Sequence, residues 1–337
     1  MKNIIIDPVS FHYLDNQLFN KQNDLLNRDN TLEPGIRLRD AIIAQGAEMH
    51  TVDIAIERGI TGQYWNMGNL NSPYLTQKYR DRFDFTGLML FEPPVVKPKL
   101  YASLNSFADQ FKQIHVHSLD IVAPYLSAKH HQKIREFRWP MPAFDSNQPF
   151  FNAAKPHLIC CVIGTHHPRN RTKELYSFRT KWIADLSQQD TFDLFGAGWA
   201  WPGLRTFFWP KYSFRRHRLL RRYRGRVKSK VATMSEYKFA LCIENMRCNG
   251  YITEKIFDCF FAGTVPIYFG APNIASFVPK ECFISLENFE SARDLLIHIE
   301  NLSDTDVARY RANILEFLNS QRFEIFKNGL HNAICQR

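Results

Sequence analysis

The stretch from residue 238 to 270, KFALCIENMRCNGYITEKIFDCFFAGTVPIYFG, constrains the fold of this 337-residue chain more than any other. It opens with a continuous apolar run, 239–243, short enough to be a strand buried on both faces of a parallel sheet. A loop of polar and glycine residues follows. Thr253 stands where a helix N-cap is expected, Glu254 and Lys255 fall in the first turn, and 256–262 is apolar nearly all round. Such a helix is buried. Gly263 ends it, and 265–269 reads as a second buried strand. Two parallel strands need a crossover between them, so the stretch is one strand-helix-strand unit and the chain is an α/β protein.

Every polar residue of this unit falls at one edge. Glu244 and Asn245 close the first strand, Asn249, Gly250 and Tyr251 form the loop, and Glu254 and Lys255 sit on the helix N-terminus. There the free backbone N–H groups and the dipole favour an anion. Ligands of such sheets bind beyond the carboxyl ends of the strands, so a phosphate group is expected here. Ordinary capping by Thr253 and Glu254 with a solvated Lys255 would account for the helix alone. It would not account for the loop, which is richer than a strand-to-helix joint requires.

The spacing Glu-Asn, five residues, Tyr-x-Thr-Glu-Lys, then a helix and Ala-Gly-Thr-Val-Pro-Ile-Tyr-x-Gly resembles the donor-binding signature of the α1,3/α1,4-fucosyltransferases of glycosyltransferase family 10, in their bacterial form. A weaker likeness runs from about 155 to 283. The resemblance implies a GT-B fold, two Rossmann-like domains facing a cleft, with GDP-fucose in the C-terminal one and the acceptor mainly in the N-terminal one. It implies inverting transfer of L-fucose to a glycan hydroxyl, an α1,3 linkage on a GlcNAc- or Glc-type sugar of a surface polysaccharide or lipopolysaccharide. Glu244, Asn245 and Tyr251 are then donor-binding, Glu254 accepts from the ribose hydroxyls, and Lys255 faces the diphosphate.

The length allows two domains of ordinary size, and 45% hydrophobic residues indicate a folded chain without repeats. The N-terminal MKNIIIDPVS is too short an apolar run for a signal peptide or a membrane span and reads as a first strand, so a cytoplasmic location is expected. Seven cysteines without Cys-x-x-Cys spacing fit reduced thiols, and Cys160, Cys161, Cys242 and Cys259 lie in apolar runs. Residues 11–35 read as a long surface loop, 35–45 as a helix, 48–53 as a strand, and 54–80 as irregular with aromatic core anchors. A strand at 113–117 carries His115 and His117 on one face, but with no third ligand nearby this is poor evidence for a metal. The pairs His130-His131 and His166-His167 are no stronger.

In FTGLMLFEPPVVKP, residues 87–91 form a strand, and Pro93 and Pro94 cannot continue it, which leaves Glu92 at a strand-to-loop edge beside apolar surface. A general base can be built there, although a solvated glutamate before a turn fits the residues too. The resemblance implies the base role, with Pro93 where the family has Ser. The proline-rich FRWPMPAFDSNQPF marks a linker, giving domains 1–150 and 151–318 with a helical tail over 319–337. The second domain opens with a strand at 157–163, a loop 164–173 containing His166, His167, Arg169 and Arg171, and a helix at 174–187. The resemblance places a diphosphate contact on Arg179 of that helix.

Residues 211–230 hold ten basic residues and no acid, leaving 33 basic against 33 acidic elsewhere, so the net charge of +10 is all theirs. Three readings compete: a nucleic-acid patch, which lacks any recognition fold; Arg226 or Lys228 lining the donor site; and an exposed surface for anionic headgroups or an acidic glycolipid. The last is favoured, with an oligosaccharide or glycolipid acceptor, peripheral attachment to the inner face of a membrane, and no nucleic acid as partner. Asp304-x-Asp306 superficially resembles a metal pair, yet Ser303 makes it a capping box. With no carboxylates at metal-ligand spacing, no cofactor is expected and a divalent ion is at most stimulatory. A different GDP-sugar, or a non-catalytic anionic-lipid or nucleic-acid binder on the same fold, are the competing functions.

Overall fold

The apolar runs of this chain pair into two sheets of six strands among the described residues, every pairing parallel. The structure, a computed structural model, describes residues 2–335 except 148, 167 and 169–171. Each sheet belongs to its own unit: Met1–Ala143 with Glu324–Arg337, and Phe144–Phe323.

In the first unit the order is β2-β1-β3-β4-β5-β6, with β1 Ile4–Asp7, β2 Met49–Thr51, β3 Gln63–Asn66, β4 Asp84–Met89, β5 Gln113–Val116 and β6 Ile134–Glu136. β3 lies in the stretch expected to be irregular. Its sequence, QYWN, carries no alternation long enough to read, but Tyr64 and Trp65 are fully buried and anchor it between β1 and β4. β6, which has no buried residue, left no sequence signal either. The expected strand at 48–53 stops at Thr51 because the helix Val52–Glu57 begins there.

Two boundaries are corrected. The break between units falls after Ala143, upstream of 150, because the proline-rich segment is shared: Phe137 and Trp139 pack on Phe91 in the first unit, whereas Phe144 packs on Phe151 and Phe261 in the second, with ring centroids 5.7 and 5.9 Å apart. The helical tail is not separate. From Glu324 onward it packs into the first unit, where Leu330, Ala333 and Ile334 share a core with Ile4, Leu38 and Trp65.

The second unit orders its strands β12-β11-β10-β7-β8-β9, with β7 His157–Val162, β8 Phe192–Phe195, β9 Tyr223–Gly225, β10 Tyr237–Ile243, β11 Val265–Phe269 and β12 Ile284–Ser285. From β7 the chain winds outward through β8 and β9, then returns to the other side of β7 and winds outward again. The reversal lies between β7 and β10, which puts the ligand crevice of this doubly wound sheet at the carboxyl ends of those two strands.

Candidate functional site

β10 runs directly into Glu244 and Asn245, so the sequence delivers a carboxylate and an amide to that reversal point. Glu244 is fully buried. Its carboxylate accepts from the backbone N–H of Thr253 at 2.8 Å, from the Thr253 hydroxyl at 2.8 Å, and from Lys255 Nζ at 3.0 Å. Three charge-assisted donors make such burial tolerable and tie the strand end to the start of the helix Glu254–Phe261. Thr253 therefore stands at the N-cap position without capping: its hydroxyl makes no bond to the helix backbone and serves Glu244. Gly270, after β11, closes the site from the other side, since a Cβ there would lie 2.5 Å from Glu244 Cγ.

Lys255 also donates to the Thr253 hydroxyl at 2.8 Å and lies 3.7 Å from Glu254. Burial pushes the Glu254 carboxyl up, but Lys255 and Lys230 beside it outweigh this and hold it down to about 2. It is ionised at neutral pH and accepts hydrogen bonds only. Lys230 bridges Glu254 at 3.7 Å and Asp258 at 2.8 Å. Burial opposes the charge on Lys230, and the two carboxylates overcome it and raise its pKa. Sequence reasoning missed both partners. Lys230 was counted with the basic surface, and Asp258 was absorbed into an apolar helix, where a lone acid among Ile, Phe and Cys is the signal that could have found it.

Arg179, on the helix Tyr176–Leu186 that follows β7, is 2% exposed. Its Nη1 donates to Ile243 O at 3.3 Å and to Asn245 Oδ1 at 3.2 Å, with the guanidinium 4.8 Å from the Tyr176 ring centroid. Burial lowers its pKa. Asn245 Nδ2 in turn donates to the hydroxyl of buried Tyr251 at 3.4 Å, and Gly250 N–H to Asn273 Oδ1 at 2.8 Å, so the loop is fixed from both sides. The structure thus gathers Arg179, Glu244, Asn245, Tyr251, Glu254 and Lys255 at one sheet edge. His167, Arg169 and Arg171 of the β7 loop lie outside the described residues.

Glu92 lies in the first unit, past the end of β4, half-buried, with its carbonyl accepting from the Tyr101 hydroxyl at 3.0 Å. That unit's chain reversal lies between β1 and β3, where Asp7 ends β1 and is 2% exposed. Asp7 accepts from Tyr64 OH and, at 2.8 Å, from Asn66 Nδ2, and burial outweighs these bonds to raise its pKa to about 6. Burial holds His115 and His117 at about 4, hence neutral. Among the described residues no three His, Cys, Asp or Glu side chains cluster as for a metal. Asp306 closes a reciprocal capping box with Ser303, and Asp304 pairs with Lys238 at 2.7 Å.

The basic segment is only partly an open surface. Arg218, Arg221, Arg222 and Arg224 pair with Asp185, Asp190 and Asp193, and Lys230 belongs to the site above, whereas Lys211, Arg215 and Arg216 meet no carboxylate among the described residues. No helix among those residues is long and apolar enough to cross a membrane. None of the cysteines forms a disulfide there, and six of the seven are buried.

Residues 153–325, half of the chain, match the family described as glycosyltransferase family 10 (fucosyltransferase), C-terminal part. The chain belongs to glycosyltransferase family 10. Arg179 and all five residues from Glu244 to Lys255 named above lie inside the family match, while Glu92 and Asp7 lie outside it. The chain is similar to an α-(1,4)-fucosyltransferase of Arabidopsis thaliana, 45% identical over 75 residues, which are 22% of this chain and only 19% of that relative. Among solved structures it resembles an α1,3-fucosyltransferase, with a TM-score of 0.50 and 14% identity over 98% of this chain and 90% of the other. It also resembles Anabaena Alr3699/HepE, solved with UDP and glucose, with a TM-score of 0.57 and 11% identity over the whole of both chains. At these identities the likeness concerns the fold, which is GT-B.

Proposed function

We propose that this family 10 protein transfers L-fucose from GDP-β-L-fucose to a glycan hydroxyl with inversion. The observation that carries the reading is the coincidence of the family match with the groups at the sheet's reversal point: Arg179, Lys255 and the N-terminus of the helix Glu254–Phe261 to face an anion, and beside them an ionised Glu254 to accept from hydroxyls. Glu254 suits a pair of ribose hydroxyls, because an ionised carboxylate has two oxygens and only accepts. Departure of GDP places negative charge on the diphosphate, and fixed cations and helix N–H groups stabilise developing charge without reorganising. On this reading no cofactor is needed, and added divalent ion is at most stimulatory.

The acceptor hydroxyl needs a base as it attacks, and Glu92 takes that role, with Asp7 as the alternative. A single base and direct displacement give the inverted product. The acceptor is an oligosaccharide or glycolipid, with α1,3 linkage to a GlcNAc- or Glc-type sugar of a surface polysaccharide or lipopolysaccharide. Residues 211–230 hold the enzyme peripherally on the anionic inner face of a membrane from the cytoplasm.

The test is a panel of GDP- and UDP-sugars with glycan acceptors, read as nucleotide release and product stereochemistry. GDP-fucose should be the turned-over donor. Glu92→Gln keeps size and hydrogen bonding but takes no proton, so transfer should fall by about 10²-fold or more with GDP binding unchanged. Near-normal transfer in this variant would shift the role to Asp7. Release from a different GDP-sugar, with none from GDP-fucose, would overturn the donor.

A further inference from the structure

The connection from β8 to β9 carries more large apolar side chains than its own packing uses. Trp199, Trp209, Tyr212 and Leu219 are buried and anchor it, with the Tyr212 hydroxyl donating to Trp199 O. Trp201, Leu204, Phe207, Phe208 and Phe214 are left outside, at 91, 78, 42, 72 and 80% exposure. They are five of the twelve exposed large apolar residues in the described chain, all within residues 201–214. Scattered single exposures are ordinary, but a dense group of this size marks an interaction surface.

What surrounds the group indicates its partner. Lys211, exposed, lies within it and Arg215, half-buried, directly after it, donating to Lys211 O at 3.2 Å; neither meets a carboxylate among the described residues. Arg216 follows, its Nη2 donating to Ala200 O at 3.4 Å. Exposed aromatic rings interleaved with unpaired cations are the chemistry of a lipid interface, where rings settle at the boundary of headgroup and acyl chain and cations meet phosphate.

We propose that residues 201–216 form an interfacial wedge that inserts Trp201, Phe208 and Phe214 into an anionic bilayer, with Lys211, Arg215 and Arg216 holding the headgroups. This deepens the membrane reading of the basic segment, which by itself requires only electrostatic attraction. The segment leaves the sheet at the carboxyl end of β8, the edge that carries the candidate donor site, so a wedge seated in lipid turns that edge of the unit toward a lipid-linked acceptor.

The purified full chain is sedimented with vesicles of phosphatidylcholine, with and without phosphatidylglycerol, at low salt and at about 0.5 M salt, where charges are screened within a few ångströms. Binding to the anionic vesicles should survive the higher salt in large part. Replacing Trp201, Phe208 and Phe214 together by Ser should weaken it at least tenfold. Brominated acyl chains should quench tryptophan emission in the wild type and much less in Trp201→Phe, since Trp65, Trp182, Trp199 and Trp209 are buried and Trp139, half-buried, belongs to the first unit. Circular dichroism checks that the triple variant is folded. No binding to anionic vesicles would overturn both the wedge and the electrostatic reading. Binding that the higher salt abolishes and the triple variant retains would overturn the wedge alone. Tighter, ring-independent binding to heparin or RNA than to vesicles would also overturn it, in favour of an acidic polymer.

Discussion

Glu244 shows how a residue's type can be legible while its job is not. Its position at the end of a buried strand was readable, and a role in holding the donor was the natural expectation. The structure buries it completely and gives it Lys255 and Thr253 as partners, so its carboxylate organises the loop that carries Glu254 and Tyr251. Lys255 is correspondingly the counter-charge of a buried acid before it is anything else. Lys255→Ala should therefore cost about 3 kcal/mol in urea unfolding, because it strands that charge, and adding Glu244→Gln should recover most of the loss. Equal stability of wild type and Lys255→Ala would show that the pair is not coupled. Asp7 makes a second residue-scale prediction. Its folded pKa of about 6 lies above 3.8, so the folded state holds more protons in between, and stability falls as pH rises through that window. The whole gap is worth about 3 kcal/mol, of which about 1.4 kcal/mol falls between pH 5 and 7.5. His115 and His117 act oppositely, losing stability as pH falls from 6.5 toward about 4. Comparing wild type with Asp7→Asn cancels them: the variant should lose about 1.4 kcal/mol less between pH 5 and 7.5. Parallel pH profiles would refute the raised pKa.

At the scale of elements, the strand-helix-strand unit of 238–270 came out with strand β10 and helix Glu254–Phe261 close to the expected bounds, because long apolar runs between glycines leave few alternatives. The end of that helix is set by Gly263, whose φ is +62° and whose added Cβ would lie 2.3 Å from Phe151 O. Gly263→Ala should destabilise the second unit by on the order of 2 kcal/mol, since both the left-handed backbone and the contact with a carbonyl penalise a side chain. A thermal midpoint unchanged from wild type would mean that the backbone there relaxes freely. The capping box at Ser303 was legible for a local reason: both of its bonds span three residues. β3 and β6 were not, because what makes them strands is neighbouring strands distant in sequence.

For the whole molecule, the C-terminal residues were expected to be a tail and are part of the first unit's core. Leu330→Ala or Ile334→Ala should each cost about 3 kcal/mol in the unfolding of that unit, the usual scale for a deleted core side chain. Neutral effects would show a tail that is merely attached. The sequence by itself determined the α/β class, two units, the family, and five of the residues gathered at the edge of the second sheet, Glu244, Asn245, Tyr251, Glu254 and Lys255, because each is written in local apolar runs or in one contiguous motif; Arg179 was reached only through the family resemblance. Only the tertiary structure decided that the reversal of strand order falls between β7 and β10, that Lys230 and Asp258 join Glu254, and that four arginines of the basic segment pair with Asp185, Asp190 and Asp193. These depend on which residues meet after the chain has crossed the sheet and returned, and pairings over such separations leave no periodicity or spacing behind in the sequence.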